Sequence, residues 1–390
     1  VLYLTWLLLS TATLTLFTVA LYRLTRRGSA PLVTNPGAEG PSAPPLTVLK
    51  PLCGADDDLA ENLRSFFALD YPAFELLFGV EDAADPAVAI VTALQARYPE
   101  VKSRLVVDAS VRALNPKISN LRGMLASGSE AIVVISDSNV RVAPDYLWQL
   151  VAAFDEPRVG LVTSLVVGDG EETLGALLNN VQVNGVIAGS IAASAVLRGD
   201  AVVIGKSLLF RRATLDSLGG WESLSTVLAE DYVIERMFLA AGFRIAVTTS
   251  PVVAICRRLN LGGYLGRHIR WAMLRWRLFP LRYPLELCAN PLALALVAPL
   301  VGGGAFWPLS WALVVTLARD GLAWHRLRGR EQLLGALAAG LFKDVLMIGV
   351  WLAAPFRRHV RWRGTRLYLS AGTRLYAEQR AVMRGGRPDR

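Results

Sequence analysis

Apolar runs of strand length alternate with helical patterns through the middle of the chain. LTVLK (46 to 50), ELLFGV (75 to 80), RLVV (104 to 107), AIVVIS (131 to 136) and GLVTSLV (160 to 166) are β-type runs. Between them, DDDLAENLRSFFAL, DPAVAIVTALQARY and PKISNLRGMLA open on Asp or Pro and repeat apolar residues at three and four spacing, which predicts helices. Strand–helix alternation predicts an α/β fold: a mainly parallel sheet with helices on both faces. Ligands of such sheets bind beyond the carboxyl ends of the strands. Lys50, the Glu81 and Asp82 pair, and Asp137 stand at or just after those ends.

The ends of the chain follow a different pattern. Residues 1 to 22 carry no charge and are followed at once by RLTRR. About 20 helical residues cross a bilayer. A cleaved signal peptide has its positive charges before the apolar run, so this order predicts a retained anchor with the next domain on the cytoplasmic side. Residues 23 to 45 read as a basic, Pro/Gly-rich linker, and 46 to 256 as the α/β domain. Residues 257 to 285 read as an interfacial amphipathic segment, 286 to 356 as a transmembrane region, and 357 to 390 as a basic tail.

Within that region, 287 to 318 is uncharged, and 333 to 356 is apolar apart from Lys343 and Asp344. Two arrangements are open. Two crossings in the first stretch and one in the second would place FRRHVRWR (356 to 363) outside; one crossing in each would place HRLRGR (325 to 330) outside. Each conflicts with the positive-inside rule at one basic stretch.

Composition agrees with a membrane protein: 53% of residues are apolar and the formal charge is +9, with a mean hydropathy of +0.39. The basic residues lie beside the apolar segments, notably in GRHIRWAMLRWR (266 to 277). Cys53, Cys256 and Cys288 lack metal-ligand spacing and read as packing residues in a reducing compartment. His268, His325 and His359 are too dispersed for a zinc enzyme, and a GxSxG elbow is lacking.

Asp137 and Asn139 in VISDSNVRV can reach one hard cation, although Asp-x-Asn is also common in turns. Asp82 can hold a base or ribose; the competing role, a helix cap before Pro86, already suits Asp85. Glu230 and Asp231 begin a helix, where the dipole alone favours acids. Lys117 and Asn120 in NPKISN suit phosphate or ribose contacts, or plain surface.

In order, LKPLCG (49 to 54), LDYPAFELLFGVEDAADP (69 to 86), NPKISNL (115 to 121), SDSNVRV (136 to 142), IGKSLLFRR (204 to 212), AEDY (229 to 232) and RHIRW (267 to 271) resemble the inverting, membrane-bound glycosyltransferases of GT-A fold. They are most similar to the ceramide glucosyltransferases of family 21. The resemblance covers about residues 46 to 290, and more loosely the tail through WRGTRLYLSAGT. It implies that Asp82 holds the uracil or ribose of a UDP-sugar, with Lys50, Glu81, Lys117 and Asn120 on the donor. It implies Mg²⁺ or Mn²⁺ on Asp137, with Asn139 where many relatives carry another acid, and Asp231 as general base. Arg267, Arg270 and Trp271 match the (Q/R)xxRW motif near the diphosphate and acceptor opening. Arg267 in place of the Gln of processive synthases favours a single transfer.

The resemblance implies UDP-glucose as donor and ceramide or a similar lipid as acceptor at the cytoplasmic face of a membrane, and the Ala- and Arg-rich composition suggests a bacterial one. Transfer of N-acetylglucosamine to a hopanoid is the alternative within the same site. A basic membrane protein that binds nucleic acid is a third reading, but without a metal the strand-end acids would repel phosphate.

Overall fold

The computed structural model describes residues 2–26, 43–110, 113–302, 307–362 and 365–377. Most of the linker expected at 23 to 45, and residues 363–364 and 378–390 of the tail expected at 357 to 390, lie outside these residues.

Eight strands form one sheet: β1 (Leu46–Pro51), β2 (Phe74–Val80), β3 (Ser103–Val107), β4 (Ile132–Ser136), β5 (Val140–Arg141), β6 (Val159–Asp169), β7 (Ser207–Arg211) and β8 (Arg244–Ile255). Their order is β3-β2-β1-β4-β7-β6-β8-β5. β1 pairs in parallel with β2 and β4, and β6 with β8, while β7 runs antiparallel between β4 and β6. The sheet is therefore α/β, mixed and mainly parallel. The five β-type runs of the sequence are β1, β2, β3, β4 and β6. The short β5, the antiparallel β7 and the long β8 carry weaker or partly polar patterns and are additions.

Strands buried on both faces need apolar residues at successive positions, as in Val48 and Leu49 of β1 and Ile132 to Ile135 of β4. One face packs on the helices Leu59–Phe67, Ala87–Arg97 and Tyr146–Phe154 through Phe66, Val91 and Leu150. The other packs on Pro116–Leu125 and Glu230–Ala240 through Leu121, Ile234 and Phe238. The helix Leu174–Gln182 continues through a π-turn, Val183–Ile187, into Ala188–Arg198. Its buried amides hide the pattern: Asn184 donates to Gly168 O at 3.0 Å and accepts from Gly168 N at 2.7 Å.

Three helical stretches, Tyr3–Arg26, Leu174–Arg198 and Leu333–Phe356, are long and apolar enough to cross a membrane. The helix Leu2–Arg26 packs on Ala188–Arg198 through Ala20, Leu21, Ile191 and Ala192. The helix Trp307–Arg328 runs beside it in the same direction: Trp311 Nε1 donates to Thr11 Oγ1, Tyr22 donates to Leu322 O, and Arg326 donates to Thr25 O.

Lys343 and Asp344 are buried against Arg319 and Asp320. Arg319 Nη2 lies 2.7 Å from Asp320 Oδ2 and 3.0 Å from Asp344 Oδ1, and Lys343 Nζ lies 2.8 Å from Asp344 Oδ1. Two cations thus meet two carboxylates, which is how charge is tolerated among apolar helices. Gly185 and Gly340 flank Asp320, and a Cβ on either would come within 2.5 Å of its carboxylate.

Both basic stretches that flank Leu333–Ala353 contact the α/β domain, the first directly through Arg328 and the second through Val360, which packs with Leu228. Arg328 donates to Gly168 O at 2.8 Å and pairs with Asp169 and Glu171. On the other side, β9 (His359–Trp362), β10 (Thr365–Leu369) and β11 (Leu375–Ala377) form a small antiparallel sheet. Leu228 N donates to Thr373 O and Leu375 N to Thr226 O, tying this sheet to the segment before Glu230.

Candidate active site

The carboxyl ends of β1, β2 and β4 lie along one edge, because those strands are parallel neighbours. β7 runs the other way with Ser207 opposite Ser136, which brings Lys206 to the same edge beside Asp137. The DSN segment then crosses that edge. Asn139 fixes it there, with its N–H groups and carbonyl divided between strand and side chain: Nδ2 donates to Ile255 O at 3.0 Å, and Ile255 N donates to Asn139 O at 2.8 Å.

Asp137 is the centre of the cluster. Lys117 Nζ lies 2.9 Å from its Oδ1, and Lys206 Nζ 2.8 Å from its Oδ2. Burial opposes ionisation, but the two ammonium groups hold the carboxyl well below the usual range. Lys117 also pairs with Glu230 at 2.9 Å. Against burial, Asp137 and Glu230 keep its ammonium protonated. Asn115 caps the helix by accepting from Lys117 N at 2.9 Å, which fixes the first turn and hence the lysine. Its Nδ2 donates to Glu230 Oε2 at 3.3 Å.

Asp231 opens the helix Glu230–Ala240. Its Oδ2 accepts from Gly205 N at 2.9 Å and its Oδ1 from Tyr232 N at 2.8 Å. Burial, followed by the neighbouring Glu230, pushes its carboxyl up to about 6, with Lys117 opposing. Such a group is a usable base near neutral pH. Gly205 permits the close arrangement: a Cβ there would lie 3.2 Å from Lys117 Nζ and 3.3 Å from Asp231 Oδ2.

Lys50 is fully buried over the Phe66 ring, and its ammonium donates to Asp137 O at 2.5 Å. Burial lowers its pKa well below the usual value. Asn120 is buried too, donating to Gly79 O at 2.8 Å and Leu52 O at 3.3 Å. These two residues hold the strand ends from beneath the site. Glu81 and Asp82 follow β2 and are exposed, with Asp82 Oδ1 accepting from Ala84 N. Asp85 takes the capping work, accepting from Ala87 N at 2.8 Å.

Arg267, Arg270 and Trp271 lie on the helix Leu261–Leu278, capped by Asn260. Arg267 donates to Asn179 Oδ1 at 3.2 Å and reaches Cys256 Sγ at 3.5 Å. Arg270 is held near Arg267 and Glu230; burial first, and Arg267 second, lower its pKa, while Glu230 opposes them. Trp271 meets His268 edge to face at 5.0 Å. The rest of the helix packs outward through Ala272, Met273 and Trp276 onto Val350 and Trp351. Cys53, expected to be a packing residue, is exposed where the chain leaves β1 and turns at Gly54.

The donors expected for a divalent ion do not fit one as they stand. Lys206 Nζ already bridges them, 2.8 Å from Asp137 Oδ2 and 2.7 Å from Asn139 Oδ1. Among the described residues no group of three or more His, Cys, Asp or Glu side chains is placed to hold a metal. Sequence reasoning missed Lys206 and Asn179. Lys206 lies inside IGKSLLFRR, but only strand pairing brings it to Asp137.

A mixed sheet with a charged cradle beyond its carboxyl edge defines a GT-A-like α/β domain. The chain belongs to Glycosyl transferase family 21, whose sequence model matches residues 5–375. It is 28% identical over 254 residues to ceramide glucosyltransferase 3 of Caenorhabditis elegans, covering 64% of this chain and 55% of that protein. Over 245 residues it is 26% identical to ceramide glucosyltransferase 1 of the same organism, covering 62% and 52%. The chain thus spans about half the length of these curated relatives. Among solved structures, the mannosyltransferase PcManGT from Pyrobaculum calidifontis, in complex with GDP-Man and Mn²⁺, aligns at TM-score 0.48 and 19% identity over 91% of this chain and 99% of that one.

Proposed function

We propose that the protein is an inverting glycosyltransferase that moves glucose from UDP-glucose to the primary hydroxyl of ceramide or a ceramide-like lipid. Its place would be the cytoplasmic face of a bacterial inner membrane, a source in keeping with the Ala- and Arg-rich composition. One observation carries the reading. Asp231, a carboxylate poised near neutral pH, shares the carboxyl edge with Lys117 and Asp137, beside a helix whose outer face packs on apolar helices. Donor chemistry and a lipid surface thereby meet at one place. The family and the two ceramide glucosyltransferases support the choice of sugar and acceptor.

In this reading Glu81 and Asp82 receive the uracil and ribose, and Lys117 lies toward the diphosphate. Lys50 and Asn120 position the strand ends beneath them. Arg267, Arg270 and Trp271 border the acceptor opening. Asp231 takes the proton of the acceptor hydroxyl as its oxygen attacks the anomeric carbon. The bond from that carbon to the diphosphate oxygen breaks, and its electron pair leaves with UDP. Attack opposite the leaving group gives the β-glucosyl lipid.

The test is a matrix of UDP-sugars against extracted lipids with the purified protein, read by product mass. A hexose added to ceramide is the expected product. An N-acetylhexosamine on a hopanoid would change donor and acceptor but keep the site. Absence of any lipid product together with absence of UDP release would sink the enzymatic reading.

A further inference from the structure

We propose that Lys206, together with Lys117, meets the donor diphosphate in place of a divalent cation, so that the protein binds and uses its nucleotide sugar without metal. This rests on the glycosyltransferase reading above. The position of Lys206 is set by the sheet rather than by a loose loop, since Ser207 is paired with Ser136 in the β4–β7 ladder. Its ammonium bridges Asp137 Oδ2 and Asn139 Oδ1, the two oxygens otherwise suited to a hard cation. Asn139 cannot turn its oxygen elsewhere without losing the bond from Nδ2 to Ile255 O.

The second oxygen of Asp137 is taken by Lys117. A metal ion would have to expel one ammonium group and then remain beside the other. A diphosphate can share both ammonium groups with Asp137, since they offset the carboxylate that would otherwise repel it. Both lysines keep some exposure, 23% for the Lys206 side chain and 12% for Lys117, and each can swing from carboxylate to phosphate oxygen. A flexible ammonium is a compact point charge that serves phosphate well. When the bond from the anomeric carbon to the diphosphate oxygen breaks, the electron pair passes to UDP, and the added charge falls between these two groups. Asp231 holds the acceptor proton, so the step balances without a further reactant.

The experiment measures UDP, UMP and uridine binding to the full chain in detergent, in EDTA and in Mn²⁺. UDP affinity of the wild type should agree within about twofold between the two conditions. Lys206→Ala should weaken UDP by at least about tenfold while leaving uridine unchanged, and Lys206→Arg should recover part of the loss. Mn²⁺ should improve UDP binding to Lys206→Ala, whose vacated Asp137 and Asn139 oxygens can accept it. Turnover of wild type in EDTA should stay within about twofold of that in Mn²⁺. UDP binding that is lost in EDTA and restored by Mn²⁺ in the wild type would overturn the proposal while leaving the glycosyltransferase reading intact. Equal UDP affinity in wild type and Lys206→Ala would do the same. Failure of UDP to bind in any condition would overturn both.

Discussion

At Asp231 two backbone N–H groups and the neighbouring Glu230 act on one carboxyl in opposite senses, and burial outweighs the hydrogen bonds. A base must be unprotonated, and this group gains its proton as pH falls through about 6. The turnover rate should therefore be flat above that value and fall about tenfold per pH unit below it, which a pH–kcat profile checks. Asp231→Asn should lower kcat by about 10²- to 10⁴-fold, with UDP affinity within about twofold of wild type by calorimetry. Comparable loss of UDP affinity would argue against a role on the acceptor proton. The acid at 231 was legible in the chain as AEDY, but its environment was not. Glu230 turns toward Lys117 and Asn115, and that division of partners leaves the Asp231 carboxylate to the backbone N–H groups of Gly205 and Tyr232.

Between helices, stability depends on the buried, ion-paired quartet of Arg319, Asp320, Lys343 and Asp344. Asp344 accepts from Arg319, Lys343 and Thr316, so its removal leaves two cations against one carboxylate. Asp344→Ala should destabilise the protein by about 3–5 kcal/mol, seen as a lower thermal midpoint in detergent. Replacing Arg319 with Met together with Asp344→Leu keeps the charge balanced and should cost distinctly less; an equal cost would show that packing, not charge, dominates. The sequence placed Lys343 and Asp344 in an apolar stretch without indicating their partners. Arg319 follows the uncharged run at 287 to 318 directly, and three-dimensional packing alone joins it to a charge in a separate helix.

For the whole molecule, the two basic stretches that the sequence separated across a membrane both contact the α/β domain. Arg330→Cys and Arg358→Cys, each in a chain whose native cysteines are serine, should label with an impermeant maleimide from the same side as the α/β domain. Labelling from opposite sides would contradict the contacts of Arg328 and of the small C-terminal sheet. By itself the sequence determined the parallel strands β1 to β4 and β6, the acids at strand ends, and the apolar helices, because each of these is written in local periodicity or at the end of a local run. Tertiary structure decided what lies beside those acids. Strand β7 enters antiparallel between β4 and β6 and carries Lys206 to Asp137, and the small C-terminal sheet returns to the segment before Glu230. Pairing across 69 residues, as between Lys206 and Asp137, leaves no periodic trace in the chain, since hydrogen-bonded register depends on which strands meet rather than on what either strand contains.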